Sequence, residues 1–322
     1  MALAVAASAA AQDSPPSFET WLAELRTEAL TRGIKQEILD AALADIQPVE
    51  QILDRDRTQA EFTLDLTSYL KRRLTRTTLR TAQRMHDEHR ALLESIGKKY
   101  SVQPRIITAV WGLESNFGRF AGVRPTIPAL ATLAYDPRRG ALFRTELFSA
   151  LEILNRGDIE LANLKGSWAG ALGQPQFMPS TYLKFSQDFD GDGRRDIWTS
   201  LGDVFASVAF YLREHGWSEK STWGREVRVP KPSRAAIFKL PRRDTGCRAE
   251  RALTRPMPIE RWRKLGVKTM ANRPLPGSGL DASLVTDGAR FFLVYQNYDA
   301  LLAYNCATSY AISVAMLSDR LK

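Results

Sequence analysis

The 322-residue sequence predicts an α+β fold that is mainly α, a helical body carrying a small β-containing insert near its C-terminus. Three observations predict it. From Phe18 to Tyr100 the chain is nearly free of glycine and proline, and its apolar residues recur at helical spacing. Near Glu226 the pattern changes to short alternating runs separated by prolines and glycines. From Ala307 to Leu321 helical spacing returns, at Ile312, Ala315 and Met316. Length suggests roughly two domains, at about 150 residues each. With 44% hydrophobic and 25% charged residues the chain can bury a core, which excludes a disordered or fibrous protein. No apolar run approaches the roughly 20 residues of a membrane-spanning helix.

Taken in order, residues 1–12 hold a small-apolar run ending Ala9-Ala10-Ala11. It resembles the core and cleavage site of a secretory signal without its basic start. A disordered alanine-rich tail is the other reading. Residues 13–100 form an N-terminal helical region. Pro15-Pro16 followed by Ser17 predicts a helix starting at Phe18, and Trp21 and Leu25, then Ile34, Ile38 and Ala41, then Leu64, Tyr69 and Leu74 keep the period. Arg72, Arg76, Arg80 and Arg84 stand four apart, on one helix face: a polyanion-binding stripe or a solvated face. Residues 101–224 are helical too, with more glycine and tryptophan. In residues 225–306, Arg225–Val229 reads as a strand and Phe291–Tyr304 as two strands around a turn at Asn297-Tyr298-Asp299. Residues 307–322 give a closing helix expected to dock on the helical body.

The net charge of +9 prefers anionic partners: nucleic acid, acidic lipid or an acidic polymer. The basic residues are scattered and no nucleic-acid motif occurs, so a nucleic-acid partner is not expected. Two cysteines, Cys247 and Cys306, allow one bridge and no CxxC metal or redox motif. His86 and His89 share a helix face without a third ligand, and read as surface histidines.

Three constellations carry chemistry. In the first, Pro104 suits a first helical position, and Ile107, Val110, Trp111 and Glu114 follow at i, i+3, i+4 and i+7. Glu114 thus lies on an apolar face, with Gly118 as a stop signal. Desolvation disfavours the charged carboxylate, so the group can hold a proton and donate it. A buried Glu satisfied by an amide or an arginine is the alternative. In the second, Lys165–Tyr182 mixes Gly166, Gly170 and Gly173 with Ser167, Gln174, Gln176, Trp168, Phe177 and Tyr182. Apolar rings beside polar groups suit a sugar, while turn glycines and core aromatics account for the residues equally well. The third, Asp188-Phe189-Asp190-Gly191-Asp192-Gly193, opens like a calcium loop. The Arg194 carbonyl and Asp196 continue it. Thr199 stands where a bidentate Glu is expected, and Asp203 either substitutes in a longer loop or caps the next helix with Ser200.

GLESNFGRFAG, NLKGSWAGALGQPQFMPSTY, DFDGDGRRDIW and SVAFYLREHGW, in that order, resemble the lytic murein transglycosylases of the MltB-like family. The resemblance implies a lysozyme-like core within residues 101–224. It also implies non-hydrolytic cleavage of the β-1,4 bond between N-acetylmuramic acid (MurNAc) and N-acetylglucosamine in peptidoglycan, leaving a 1,6-anhydro ring. Glu114 matches the catalytic acid/base. Ser167, Gln176, Tyr304, Asn305 and Tyr310 match substrate-contacting positions, and Asp188, Asp190, Asp192, Arg194 and Asp203 match the structural calcium loop. Glycosidases ordinarily need two carboxylates, yet no second Asp or Glu lies within a few residues of Glu114. The muramyl C6 hydroxyl as internal nucleophile removes that need. A bridge between Cys247 and Cys306 is expected to tie the insert beside the cleft. The implied partner is the peptidoglycan glycan strand and the implied place the periplasm, with the protein a monomer and association with the outer membrane open. A non-catalytic peptidoglycan-binding module and a hydrolysing muramidase are the rival readings.

Overall fold

The computed structural model describes residues 16–57, 64–287 and 289–321, so the signal-like residues 1–12 lie outside the described part. The N-terminal helices are α1 (Phe18–Thr31), α2 (Gln36–Ala42), α3 (Glu50–Arg57), α4 (Leu66–Arg73), α5 (Arg76–Glu88) and α6 (Arg90–Tyr100). The helix start expected at Phe18 is borne out: the Ser17 hydroxyl accepts from the Thr20 amide at 3.2 Å and satisfies one orphan donor of the first turn. The arginine series does not share one helix. The chain breaks at Leu74 and restarts with Thr75 as N-cap, which leaves Arg72 on α4 and the other three on α5, all exposed to solvent. His86 is also not a surface residue. It is 5% exposed, and its ring bonds the Thr108 hydroxyl at 3.0 Å, which ties α5 to the helix that starts at Pro104. Burial pushes its pKa down, and Arg90 adds to that.

The centre of the body is α7 (Pro104–Ser115), with Pro104 in its first turn. Every residue from Ile106 to Leu113 is buried. The helix is therefore buried all round, rather than on one face only, and α5, α6 and later helices enclose it. Next come β1 (Arg124–Pro125), α8 (Thr126–Tyr135), α9 (Gly140–Arg156), β2 (Lys165–Gly166), α10 (Pro179–Phe185) and α11 (Leu201–Glu214). β1 and β2 pair antiparallel, and bridges from Gly166 to Leu172 and from Leu172 to Phe177 extend the pair into a small folded loop. Buried Glu146 of α9 fixes the start of α10, accepting from the Ser180 amide at 2.9 Å and its hydroxyl at 2.7 Å.

The insert contains β3 (Gly224–Arg228), α12 (Lys231–Phe238), α13 (Arg248–Arg251), β4 (Met257–Pro258), α14 (Ile259–Lys264), β5 (Lys268–Thr269), β6 (Asp281–Thr286) and β7 (Phe291–Val294), followed by α15 (Gln296–Tyr304) and α16 (Thr308–Ser318). Its strands form an antiparallel sheet in the order β4-β6-β7-β3-β5. The two faces of that sheet serve different cores. Phe292, Val294 and Val285 join the helical body, while Phe291, Leu293 and Val227 close over Ile237, Ile259 and Trp262 of the insert's own helices. Only the first half of the expected 291–304 hairpin is strand. From Gln296 the chain is helical, because Tyr298, Leu301 and Leu302 are buried on a 3.6-residue period. The closing helix α16 packs against α7 and α4. Cys247 and Cys306 are joined, Cα atoms 6.3 Å apart, and an Arg243–Asp299 ion pair at 2.8 Å lies near the bridge. No single helix among the described residues is long and apolar enough to cross a membrane.

Candidate active site

Glu114 occupies the last turn of α7, and it is half-buried where its neighbours are fully buried. It reaches solvent by lying at the end of the helix, not by facing outward. The chain then reverses through three left-handed residues, Asn116 (φ 50°), Phe117 (φ 58°) and Gly118 (φ 78°). The cap is Asn116, two residues before the glycine that sequence reading favoured. Left-handed backbone costs a non-glycine residue about 1 kcal/mol or more, and surrounding contacts hold it here. Ser115 Oγ accepts from the Gly118 amide at 3.1 Å, and the Phe117 ring meets Trp111 edge-on at 5.4 Å. Gly118 must lack a side chain, since a Cβ would lie 2.5 Å from the Gln174 amide oxygen.

Gln174 is a strut. Its buried amide accepts from Trp111 Nε1 at 2.7 Å and donates to the Trp198 carbonyl at 2.8 Å, joining α7 to the loop. Gln176 is also left-handed (φ 54°), and its side chain donates to the Gly173 carbonyl at 2.7 Å. Ser167 Oγ accepts from the Ala169 and Ala171 amides, at 3.3 and 3.1 Å, which spends its lone pairs on the loop and leaves its proton to donate.

A wall beside Glu114 comes from the C-terminal segment. Tyr304 donates to the Pro175 carbonyl at 2.8 Å and packs on Phe177 at 5.7 Å. Tyr304 and Tyr310 stack with centroids 6.4 Å apart. Burial pushes both hydroxyls well above their ordinary range, and the negative charge of Glu114 adds to this in each case. Among the described residues, Glu114 is the only carboxylate that acts on either ring. The structure thus brings Glu114, Tyr304 and Tyr310 together directly. Ser167 and Gln176 stand on the adjoining loop, and Asn305 follows Tyr304 in extended backbone.

In the acidic loop, Asp188, Asp190 and Asp203 each place a carboxylate oxygen within 4.8 Å of the other two. Backbone amides shape the loop. Asp188 accepts from Gly191 and Gly193, at 2.7 and 2.9 Å, and Asp203 accepts from Phe189 and Asp196, at 2.8 and 2.7 Å. Burial pushes Asp203 up to about 6, and the charges of Asp190 and Asp188 contribute to that rise. No arginine or lysine among the described residues pairs with any of the three. Clustered hard oxygens without a protein cation fit a divalent ion such as calcium. Asp192 lies outside the cluster, and its side chain accepts from the Arg194 amide at 2.8 Å.

Residues 17–319 match the family described as Transglycosylase SLT domain. The chain belongs to this family. Membrane-bound lytic murein transglycosylase B of Escherichia coli (strain K12) is 32% identical over 223 residues, which are 68% of this chain and 56% of that protein. The chain therefore spans little more than half of that relative's length. SltB3 of Pseudomonas aeruginosa, solved in complex with NAG-anhNAM-pentapeptide, matches with a TM-score of 0.85 at 38% identity, over 94% of this chain and 79% of its own. The Escherichia coli lytic transglycosylase Slt35 in complex with calcium matches with a TM-score of 0.76 at 25% identity, over 95% and 93%. The mainly helical α+β class, with its small sheet, is the class of these relatives.

In this SLT-family chain two residues near the site escaped sequence reading. Tyr69 of α4 acts on Tyr310, and Arg73 donates to the Leu113 carbonyl, which covers the negative end of α7 beside Glu114. Tyr69 was visible only as an apolar member of a helical period. Nothing in the spacing set Arg73 apart from its basic neighbours.

Proposed function

We propose that the protein is a peptidoglycan lytic transglycosylase that cleaves between MurNAc and N-acetylglucosamine and leaves 1,6-anhydro-MurNAc ends. The observation that carries this reading is the lone carboxylate. Among the described residues Glu114, half-buried beside the Tyr304 and Tyr310 hydroxyls, is the one acid acting at the tyrosine wall, so it would serve both proton transfers. It would protonate the leaving oxygen, then accept the proton of the C6 hydroxyl as that oxygen closes on C1. An internal nucleophile gains from proximity and needs no second protein carboxylate. Ser167, Gln176, Tyr304, Asn305 and Tyr310 would contact the glycan. The relatives support this: SltB3 has been solved with both NAG-NAM-pentapeptide and NAG-anhNAM-pentapeptide. Residues 101–224 would be the catalytic core, residues 225–306 its β-containing companion, and the periplasm the compartment. The test is digestion of murein sacculi followed by mass analysis. Anhydro-muramic ends are expected. Reducing ends that have gained water would make the protein a hydrolase, and undigested sacculi a binding module.

We further propose that Asp188, Asp190 and Asp203 hold a structural calcium ion, with Asp192 and the Arg194 carbonyl as outlying ligands. Chelation is expected to lower the melting temperature by several degrees, more than it lowers turnover at moderate temperature. The pH dependence has a definite sign. Without the ion, the raised Asp203 favours the folded state most below the ordinary aspartate range, and this contribution is gone once pH passes about 6. Calcium requires the deprotonated form. The stabilisation by calcium is thus expected to be larger at pH 8 than at pH 5. A melting temperature indifferent to chelator at both values would remove the metal.

A further inference from the structure

A cavity of about 460 Å³ opens at the end of the insert's sheet, lined by Arg228, Pro230, Arg234, Lys268, Met270 and Phe291 among others. Among the described residues its lining comes wholly from the insert and includes none of α7, of the 165–182 loop or of α16. Four cations and one carboxylate line it: Arg228, Arg234, Lys268 and Arg290, with Glu226. Glu226 is already engaged, by Arg290 at 2.6 Å. The other three cations have no acidic partner among the described residues, so the cavity carries an uncompensated positive charge.

Arg234 is the best prepared of the three. It is half-buried, its Nε donates to the Val229 carbonyl at 3.5 Å, and its guanidinium lies 5.0 Å over the Phe291 ring. Those contacts hold the guanidinium against the ring and leave its two terminal amino groups without a protein acceptor among the described residues. A planar fork held in this way suits a carboxylate, which it can bind through two parallel hydrogen bonds. Lys268 adds a point charge from β5, whose register sets it opposite Arg228 on β3. Met270 and Phe291 give the same cavity apolar surface. An anionic ligand with short aliphatic side chains complements both features.

We propose that this cavity is a second peptidoglycan-contact site, which takes the carboxylates of a stem peptide while the cleft at Glu114 holds glycan. The proposal rests on the transglycosylase reading for the choice of ligand. Charge complementarity selects an acidic peptide, and the polymer that this reading assigns to the cleft carries one on its muramyl units. The site would hold the wall through its peptides beyond the bond being cut, which keeps the enzyme on cross-linked material between cleavages.

The experiment measures binding of a free stem pentapeptide that carries no sugar, by titration calorimetry with the full chain. Binding is expected, weakening as salt rises, and weakening about tenfold or more when the peptide carboxyls are amidated or in the Arg234→Ala/Lys268→Ala variant. The salt and amidation arms use the unaltered protein, so they decide the matter even if the variant fails to fold. Equal affinity for the amidated peptide, or unchanged affinity in a folded variant, would overturn the site. So would capture of phosphatidylglycerol vesicles through these residues with no affinity for the peptide. The readout needs no cleavage. Peptide binding with no murein digestion would count against the cleft reading alone, and digestion with no peptide binding would count against this site alone.

Discussion

Replacing Glu114 by Gln is expected to lower murein cleavage by about 10³-fold or more, with the melting temperature moved by only a few degrees. Gln keeps the shape and the polar contacts of the side chain while removing the proton that the proposed reaction passes twice. The surroundings argue for a large kinetic effect and a small structural one. Glu114 stands at the end of α7, half-buried, and carries none of the helix packing that Ile106 to Leu113 supply. Its charge raises the pKa of the Tyr304 and Tyr310 hydroxyls, which stay neutral with or without it, so the variant leaves the ionisation state of the wall unchanged. Glycan binding should persist, because the loop residues and the tyrosines are untouched. Measuring initial rates on sacculi together with binding to the same sacculi separates the two. Turnover within tenfold of the unaltered protein would remove Glu114 from the proton transfer.

The double substitution Cys247→Ala/Cys306→Ala is expected to cost about 4 kcal/mol of folding stability, since the bridge closes a long loop. The two residues stand 59 apart in sequence, and the segment between them holds most of the insert. Cys306 also follows Tyr304 and Asn305 immediately, so the bridge anchors the tyrosine wall beside Glu114. Loss of the bridge should therefore lower turnover as well, as the tyrosines gain freedom. Urea midpoints with and without the bridge, at unchanged m-value, give the number. An unchanged midpoint would mean that the Arg243–Asp299 pair and the shared sheet already hold the insert in place.

The elements that sequence made legible were those with local punctuation. Ser17 before Phe18 and Pro104 at the start of α7 marked helix starts, because caps act within a turn of the chain. The run 296–304 was misread because QNYDALLAY carries aromatic and apolar residues that satisfy a strand pattern and a helix pattern alike; burial against the body selects the helix. His86 was misplaced for a similar reason, since its partner Thr108 lies 22 residues on and no local pattern announces a buried hydrogen bond. At the site, Glu114 stood out as a carboxyl in an apolar run. The parts contributed from a distance did not: Tyr69 and Arg73, and the strut role of Gln174 in place of a sugar contact, arise only when α4 and the 165–182 loop close on α7. The three acidic residues that meet were legible from their loop. The separation of Asp192 from them was not, because it depends on which backbone amide each side chain accepts.

The hydrogen bond from Tyr304 to Pro175 spans 129 residues of sequence. A wall that depends on so distant a segment cannot exist on a partly synthesised chain. The acid arrives early and its counterpart last, so the emerging polypeptide carries no competent blade until its final helices are in place. A chain ending before Tyr304 should accordingly leave sacculi intact, and digestion by such a fragment would show that the delay is not built into the topology.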